Sequence, residues 1–248
     1  MKFYYAAGPG DVCGTFDRWL RSEEDEREVA ITYSRQFFDL VESLEASAFV
    51  VSSCDRQEHI SGRNMEVENR PLPHLARHGR IGYRIGRIIS GVRMVWDFFR
   101  SRPDVAVINE GTAPWIFVLP AHWLGVQVVP ALHCVLWSKG KSLSGLGHRG
   151  DRYVFRNAIE SCLCFSDQIA EQVAEISDDT VACHRFFPTY RPDQFNVEPA
   201  KLHEGVAVIT YLGRVERDKG VFDLLDAFSL VSKGASAEFE LHFCGDGA

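Results

Sequence analysis

Several features that assign a protein class directly are missing from these 248 residues. No apolar run reaches the roughly 18 residues that a membrane-spanning helix needs. The apolar N-terminal stretch breaks at Gly8-Pro9-Gly10, which leaves it too short for the core of a secretory signal peptide. The seven cysteines include no C-x-x-C pair and no Cys/His cluster with zinc-ligand spacing. We therefore expect a cytoplasmic chain with reduced thiols and without a bound metal.

An excess of basic residues is also missing from the chain as a whole. The net charge is −7, which argues against a nucleic-acid partner held by bulk charge. One segment is the exception, because residues 70–102 carry eight arginines and a single acid, Asp97. Apolar residues recur at helical spacing over 81–100 and predict a long helix with one apolar face. The basic flank of that helix comprises Arg77, Arg80, Arg84 and Arg87.

This basic flank permits three interpretations. Arginines beside an apolar face suit the surface of an anionic membrane. The same pattern fits a helix that turns its apolar face to the core and leaves an arginine edge in solvent. The arginines could also attract a phosphorylated or carboxylated acceptor molecule, because guanidinium groups pair well with such anions.

Most of the chain alternates short apolar runs with longer helical patterns. The predicted strands are 2–7, 28–33, 48–52, 105–109, 126–132 and 161–165, and the predicted helices are 15–21, 36–45, 81–100, 115–124, 149–158 and 167–176. This alternation is typical of a Rossmann-like α/β fold, in which helices cover both faces of a parallel sheet.

The alternation is interrupted once and then restarts. Residues 188–204 contain three prolines and few apolar residues, which indicates a linker. One β-α-β unit follows, with a strand at 206–212, a helix at 221–231 and a strand at 238–244. We expect a first domain over 1–190, a linker over 191–205 and the start of a second Rossmann-like domain over 206–248.

Glycines crowd the loop after the first predicted strand. Gly8, Gly10 and Gly14 give the spacing G-x-G-x-x-x-G, whereas the dinucleotide-binding fingerprint is G-x-G-x-x-G. The second predicted strand also ends without the acid that such a site needs. Glycine lets a backbone turn sharply and approach a ligand closely. A ligand-binding loop and a plain tight turn therefore both remain open.

A second loop combines glycine with two cations. It begins at Gly213 and Arg214, where a strand ends, and closes with Lys219 and Gly220, where a helix begins. The planar fork of an arginine and the mobile charge of a lysine can converge on one diphosphate. The helix N-terminus adds backbone N–H donors. An ordinary charged turn is the alternative.

Three motifs surround this second loop: G-R-x-x-x-x-K-G at 213–220, FDLLDAF at 222–228, and a strand ending in FCGDG at 243–247. Together they resemble the donor domain of the family-4 glycosyltransferases, which have the GT-B architecture of two facing Rossmann-like domains. The resemblance implies that Arg214 and Lys219, with Gly213 and Gly220, hold the diphosphate of a nucleotide-sugar donor. It also implies transfer with retention, without a metal or another cofactor.

Two acceptor-side candidates follow predicted strands. Glu110 comes directly after the strand at 105–109, and His133 comes after the strand at 126–132. Ligands of open parallel sheets lie outside the carboxyl ends of the strands. Both residues are therefore candidates for catalysis, His133 by binding a sugar hydroxyl and Glu110 by orienting the acceptor hydroxyl. The alternatives are a structural histidine and a helix-capping loop with Thr112 as the cap.

The resemblance implies a parent protein that transfers a sugar from a nucleotide-sugar to the hydroxyl of a glycan, a glycolipid or a small molecule. Cell-envelope, exopolysaccharide or glycolipid synthesis is the expected setting, in the cytoplasm or peripherally on the inner face of the membrane. The E-x7-E element of the family would lie beyond residue 248, so we expect a truncated chain with little activity of its own. Another GT-B enzyme, such as a sugar-nucleotide epimerase or a phosphorylase, and a non-catalytic fragment are the alternatives.

Overall fold

The computed structural model describes residues 1–23, 30–73, 79–137, 146–187, 189–190, 206–234 and 238–245. The chain divides into two compact units, Met1–Pro192 and Asp193–Ala248. The predicted α/β fold class is confirmed, because strands and helices alternate and the main sheet is almost wholly parallel. The predicted linker at 191–205, Arg77 and the side chain of Arg80 lie outside the described part of the chain.

The first unit contains ten strands and six helices among its described residues. The strands are β1 (Lys2–Pro9), β2 (Ala30–Ile31), β3 (Ser47–Ser53), β4 (Glu58–Gly62), β5 (Met65–Arg70), β6 (Val105–Asn109), β7 (Gln127–Leu132), β8 (Ser161–Cys164), β9 (Ala182–Arg185) and β10 (Thr189–Tyr190). The helices are α1 (Val12–Leu20), α2 (Tyr33–Ser43), α3 (Gly79–Ser101), α4 (Leu119–Trp123), α5 (Leu146–Ala158) and α6 (Asp167–Ser177), with a 3-10 turn at Trp115–Val118 before α4.

Eight of these strands form one sheet in the order β4-β5-β3-β1-β6-β7-β8-β9. All neighbours are parallel except β4 and β5, which form an antiparallel hairpin. From β1 the chain moves outward through β3 to β5, and α3 then returns it to β6 on the other side of β1. The point between β1 and β6 is therefore a topological switch point, and ligands of such sheets bind at the carboxyl ends of the flanking strands.

Side chains of the central strand β1 point alternately to the two faces of the sheet. Phe3 and Tyr5 pack against α2 on one face, where their rings lie 5.9 and 4.4 Å from the ring of Phe37. Tyr4 points to the other face, where its ring lies 5.0 Å from that of Phe98 on α3. Helices therefore cover both faces, and the central strands read as continuous apolar runs for that reason.

Two predicted boundaries are wrong because the polar residues that cap two helices look like strand or loop residues in the sequence. The strand predicted at 28–33 ends at Ile31, since Thr32 caps α2 by accepting a hydrogen bond from the Arg35 N–H at 3.2 Å, and its predicted start lies outside the described residues. The helix predicted at 15–21 begins at Val12. Its cap is Asp11, whose Oδ1 accepts from the backbone N–H of Gly14 at 2.9 Å. The sequence also does not predict the β4–β5 hairpin, β9 or β10.

The described residues of the second unit form one β-α-β element. Strands β11 (Val206–Leu212) and β12 (Glu238–Cys244) are parallel and are joined by α7 (Val221–Gly234). Their carboxyl ends approach closely, since a Cβ at Gly245 would lie 1.9 Å from the carbonyl oxygen of Gly213. The backbone N–H of Gly213 also donates to the Cys244 carbonyl at 3.0 Å. Only glycine fits at position 245, which explains the first glycine of the FCGDG segment.

Candidate functional site

The candidate site lies at the carboxyl edge of the first sheet, beside the switch point. Strands β1, β6 and β7 are neighbours and parallel, so the loops that follow them emerge at the same edge. These loops carry the glycine segment after β1, Glu110 after β6 and His133 after β7. The structure therefore brings together three of the features that the sequence singled out.

The glycine loop is held by hydrogen bonds on both sides of its turn. Gly8 and Gly10 have positive φ angles of 80° and 147°, so both use backbone conformations that favour glycine. The Gly10 N–H donates to the Ser53 carbonyl at 2.9 Å. Gly14 has a different role from the predicted one, because it lies inside α1 and a Cβ there would meet Asp11 Oδ2 at 2.6 Å. Gly14 makes room for the helix cap and is not part of the ligand loop.

Asp11 links the glycine loop to a residue that the sequence did not single out. Its carboxylate accepts from the Asn69 side-chain amide at 2.7 Å and from Arg56 at 3.2 Å. Burial opposes ionisation of Asp11. The Gly14 N–H, the Asn69 amide and the Arg56 charge outweigh that effect, so the pKa of Asp11 lies below its usual value. Asp11 is therefore a fixed anion at the start of α1.

Asn69 is the fully buried centre of this network. Its Oδ1 accepts from the Cys13 N–H at 3.2 Å and from the Ser52 hydroxyl at 2.8 Å. The segment MEVENR shows the signal that could have found it. Its alternate residues Met65, Val67 and Asn69 share the buried face of β5, so a polar residue stands where the alternation requires an apolar one.

Asn109, the last residue of β6, is also missing from the predicted site residues. It is 9% exposed, and its Nδ2 donates to the Ala7 carbonyl at 2.8 Å and to the Tyr5 hydroxyl at 3.2 Å. Among the described residues, its buried Oδ1 has no hydrogen-bond partner. Asn109 lines a cavity of about 260 Å³ together with Asp11 and Tyr33. A buried acceptor without a partner is unfavourable, so Asn109 keeps an unmet hydrogen bond next to this cavity.

Glu110 is fixed by the loop that follows β7. Its carboxylate accepts hydrogen bonds from the Cys134 thiol and from the backbone N–H groups of Cys134 and His133. Burial raises the pKa of Glu110 above its usual value even though these hydrogen bonds oppose the rise. Thr112 donates its hydroxyl to the Asn109 carbonyl at 2.8 Å, which stabilises the turn. The result is a positioned carboxylate at the site edge.

His133 lies in an aromatic cluster at the same edge. Its ring centroid is 4.4 Å from that of Tyr33 and 5.3 Å from that of Phe186, and those two rings are 5.2 Å apart. Burial lowers the pKa of His133, which keeps the imidazole neutral at neutral pH. A neutral imidazole has one donor and one acceptor nitrogen and can bind a hydroxyl group with either.

The second predicted site lies by itself in the second unit. Gly213 and Gly220 have φ angles of 149° and 74°, and they bound the loop between β11 and α7. Arg214 pairs with Glu216 at 3.0 Å and remains largely exposed. Lys219 is exposed and has no hydrogen-bond or ion-pair partner within the described ranges. Both cations lie in the turn that precedes the N-terminus of α7.

The basic helix departs from the core-facing interpretation. The apolar residues of α3 that recur at helical spacing, such as Ile81 and Trp96, are exposed. Of the four predicted arginines, Arg84 is exposed, and Arg87 donates from Nη2 to the Ala113 carbonyl at 2.8 Å. The buried side of α3 carries Met94, Asp97 and Phe98 instead, and its apolar pattern is weaker than that of the exposed residues.

Comparison with known proteins shows which fold the chain has. No family model and no curated protein matches the chain. Among solved structures, one described as trehalose-6-phosphate from E. coli bound with UDP-2-fluoro glucose matches with a TM-score of 0.69 and 8% identity, over 100% of this chain and 65% of that chain. The trehalose 6-phosphate synthase of Burkholderia multivorans matches with a TM-score of 0.64 and 14% identity, over 98% of this chain and 63% of that chain. The sucrose-phosphate synthase of Thermosynechococcus elongatus matches with a TM-score of 0.58 and 12% identity, over 99% of this chain and 62% of that chain.

This chain has the GT-B fold. The identities are too low to show more than the fold, and the chain spans 62–65% of the length of these three structures. In the GT-B fold the carboxyl edge with Asn109, Glu110 and His133 belongs to the N-terminal Rossmann-like unit. The loop with Arg214 and Lys219 belongs to the second.

Proposed function

We propose that this chain belongs to a family-4 glycosyltransferase that transfers a sugar, with retention, from a nucleotide-sugar donor to an acceptor hydroxyl. Fold alone does not define chemistry, so the residues must support it. The observation that carries the proposal is the loop after β11, where Arg214 and Lys219 precede the helix α7 in a GT-B fold. A similar structure is bound with UDP-2-fluoro glucose. Another concerns enzymatic glycosyltransfer with retention by trehalose-6-phosphate synthase.

The donor side of the proposal rests on charge. When a sugar leaves a nucleotide-sugar, negative charge develops on the departing diphosphate. Lys219 is exposed and unpaired within the described residues, so it is available to this anion. Arg214 can exchange its exposed pairing with Glu216 for the stronger bidentate pairing with a diphosphate. The two cations supply the positive charge, so the proposed donor site uses no metal.

The acceptor side rests on the carboxyl edge of the first sheet. Glu110 offers a fixed carboxylate and His133 a neutral imidazole. Together these two groups can accept from and donate to sugar hydroxyls. The proposed acceptor is a glycan, a glycolipid or a small hydroxylated molecule, in cell-envelope or related glycan synthesis. Glu110 and His133 are the proposed catalytic residues.

Calorimetric titration with UDP tests the donor site without knowledge of the acceptor. We expect the chain to bind UDP and Lys219→Ala to weaken binding at least about tenfold, because one charge-assisted hydrogen bond is lost. The matched control is Lys233→Ala, which removes the same charge from the other end of α7 and leaves the affinity unchanged. Equal affinities of Lys219→Ala and the parent chain would contradict the donor site. A failure of UDP and of the other nucleoside diphosphates to bind the unsubstituted 248-residue chain would also contradict the donor site.

A further inference from the structure

Helix α3 buries Met94, Asp97 and Phe98 and exposes six other large apolar residues. With about 100° between successive residues of a helix, these exposed residues fall together on the side away from Met94 and Asp97. They form what we call the α3 stripe: Ile81, Ile85, Ile88, Val92, Trp96 and Phe99, with exposed fractions from 40% to 76%.

The α3 stripe is unusual for a helix on the surface of a globular protein. Such a helix normally turns its apolar side to the core and its charged side to water. A contiguous set of six large apolar side chains in water is unfavourable. Burial would stabilise the protein by about 25 cal/mol for each Å² of apolar surface removed from water. Apolar patches of this kind mark surfaces that bind a protein or a membrane.

Charge identifies which of these surfaces fits. Arg84 lies on one flank of the α3 stripe, and Arg93 and Arg100 lie on the other. The single acid of α3, Asp97, is buried and bonded to Arg70 at 2.6 and 3.0 Å, so it does not offset these charges. The stripe is therefore framed by positive charge on a chain whose net charge is −7.

We propose that the α3 stripe docks this chain onto a bilayer surface that contains anionic lipids, with α3 lying in the plane of the interface. The stripe runs from Ile81 to Phe99, about 28 Å along the helix, and can insert among the headgroups while the flanking arginines contact lipid phosphates. Trp96 suits this depth, because indole rings favour the membrane interface. No helix of the described residues is long and apolar enough to cross a bilayer, so docking is superficial.

A second copy of the chain fits the α3 stripe less well. Symmetric dimers bring the same patch of both copies face to face. The flanking arginines of one copy would then lie close to those of the other, and α3 exposes no acid that could neutralise them. Anionic headgroups neutralise the same arginines. Charge complementarity therefore favours lipid over self-association.

Docking through α3 would place the candidate site next to the membrane. Arg87 bonds to the Ala113 carbonyl, in the loop that also carries Glu110. The first turns of α3 therefore lie beside the acceptor-side residues, and a docked chain would present that edge close to lipid headgroups. The docking itself does not depend on sugar transfer, because it involves neither Lys219 nor a nucleotide.

Co-sedimentation with vesicles tests the proposal on the 248-residue chain without any nucleotide. We expect binding to phosphatidylcholine vesicles that contain phosphatidylglycerol to exceed binding to pure phosphatidylcholine at least tenfold and to weaken in high salt. The stripe variant Ile81→Gln/Val92→Gln/Trp96→Gln should lose at least tenfold in binding. Its matched control is Leu40→Gln/Leu44→Gln, which alters two leucines, each 47% exposed, at the C-terminal end of α2 across the sheet. The control should bind like the parent.

A charge variant separates electrostatic docking from apolar adhesion. Arg84→Gln/Arg100→Gln should weaken binding to anionic vesicles about 25-fold, at roughly fivefold for each arginine. Arg21→Gln/Arg63→Gln removes the same charge elsewhere and should have little effect. Because all these positions are exposed, thermal unfolding by circular dichroism should match the parent in every variant.

Three results would overturn the proposal. They are equal binding to neutral and anionic vesicles, no vesicle binding at all, and a lipid-free dimer that the stripe variant converts to a monomer in sedimentation velocity. The last result would identify the α3 stripe as an interface between copies. A chain that binds UDP but no vesicles would refute docking and leave the donor site unaffected.

Discussion

Removal of Asp97 should destabilise the first unit more than most single substitutions. Asp97 is 2% exposed, and its carboxylate accepts two hydrogen bonds from Arg70, at 2.6 and 3.0 Å, and one from the Tyr4 hydroxyl at 3.3 Å. The carboxylates of Glu68 and Asp97 raise the pKa of Arg70, although burial opposes the rise. A guanidinium group is not deprotonated in proteins, so Arg70 remains charged when Asp97 is removed.

The expected loss for Asp97→Ala is about 3–4 kcal/mol in the free energy of unfolding. Breaking a buried ion pair costs about 3–5 kcal/mol, because the remaining charge is buried without its partner. The lower end of this range applies here, since the Arg70 side chain is 20% exposed and keeps its bond to Glu68 at 2.7 Å. The buried Tyr4 hydroxyl loses its acceptor and adds roughly 1 kcal/mol. This total is a large part of the stability of an ordinary domain.

Urea unfolding followed by tryptophan fluorescence measures this loss in the first unit alone. All five tryptophans lie between residues 19 and 137, so the second unit does not contribute to the signal. A double-mutant cycle with Arg70→Met isolates the pair, and we expect a coupling of at least about 2 kcal/mol. An Asp97→Ala variant within about 1 kcal/mol of the parent, or a coupling near zero, would refute the reasoning.

Two further predictions follow from local geometry and protonation. Gly91→Ala should destabilise the chain by about 1–2 kcal/mol in the same urea assay, because the clash with Phe117 outweighs the gain in helix propensity. Gly150→Ala on α5, where a Cβ meets nothing within 4 Å, should stabilise it by up to about 1 kcal/mol. Burial raises the pKa of Glu110 above its ordinary value of 4.5 in the folded chain. The folded chain therefore loses stability as the pH rises from this ordinary value to the raised pKa. Glu110→Gln should therefore raise the melting temperature at pH 8, and the gain should vanish near pH 4; a gain that grows on acidification would contradict this.

The sequence predicts the first sheet well because burial on both faces leaves a strong signal. Strand β6 is buried on both sides and has the bounds expected from its β-branched run at 105–109. The hairpin of β4 and β5 has no such signal, because one strand is exposed and the other carries alternating acids. Helix starts were misplaced where Asp11 and Thr32 act as caps, since their side chains alone decide where the helix begins.

The candidate site is predictable as far as topology determines it. Glu110 and His133 directly follow strands, and a parallel sheet gathers the ends of neighbouring strands whatever the side chains are. Asn69 and Asn109 are not predictable in this way. Their importance comes from complete burial and from partners distant in sequence, such as Asp11 for Asn69 and Ala7 for Asn109. Only the three-dimensional arrangement shows which amide is fully bonded and which keeps an unpaired oxygen.

The orientation of α3 shows why a helical apolar pattern does not by itself identify the buried face. The pattern at 81–100 correctly predicts a helix, yet two faces compete for the core. The buried face carries Met94, Phe98 and Asp97, and Asp97 bonds there to Arg70. Gly91 lets the Phe117 ring pack directly against the helix backbone. The packing of Met94 and Phe98 and the burial of Asp97 on Arg70 therefore decide the orientation, and six other large apolar side chains are left in solvent. A helix anchored in this way can present a second apolar face to another partner, and the arginines beside that face make an anionic bilayer the partner that fits.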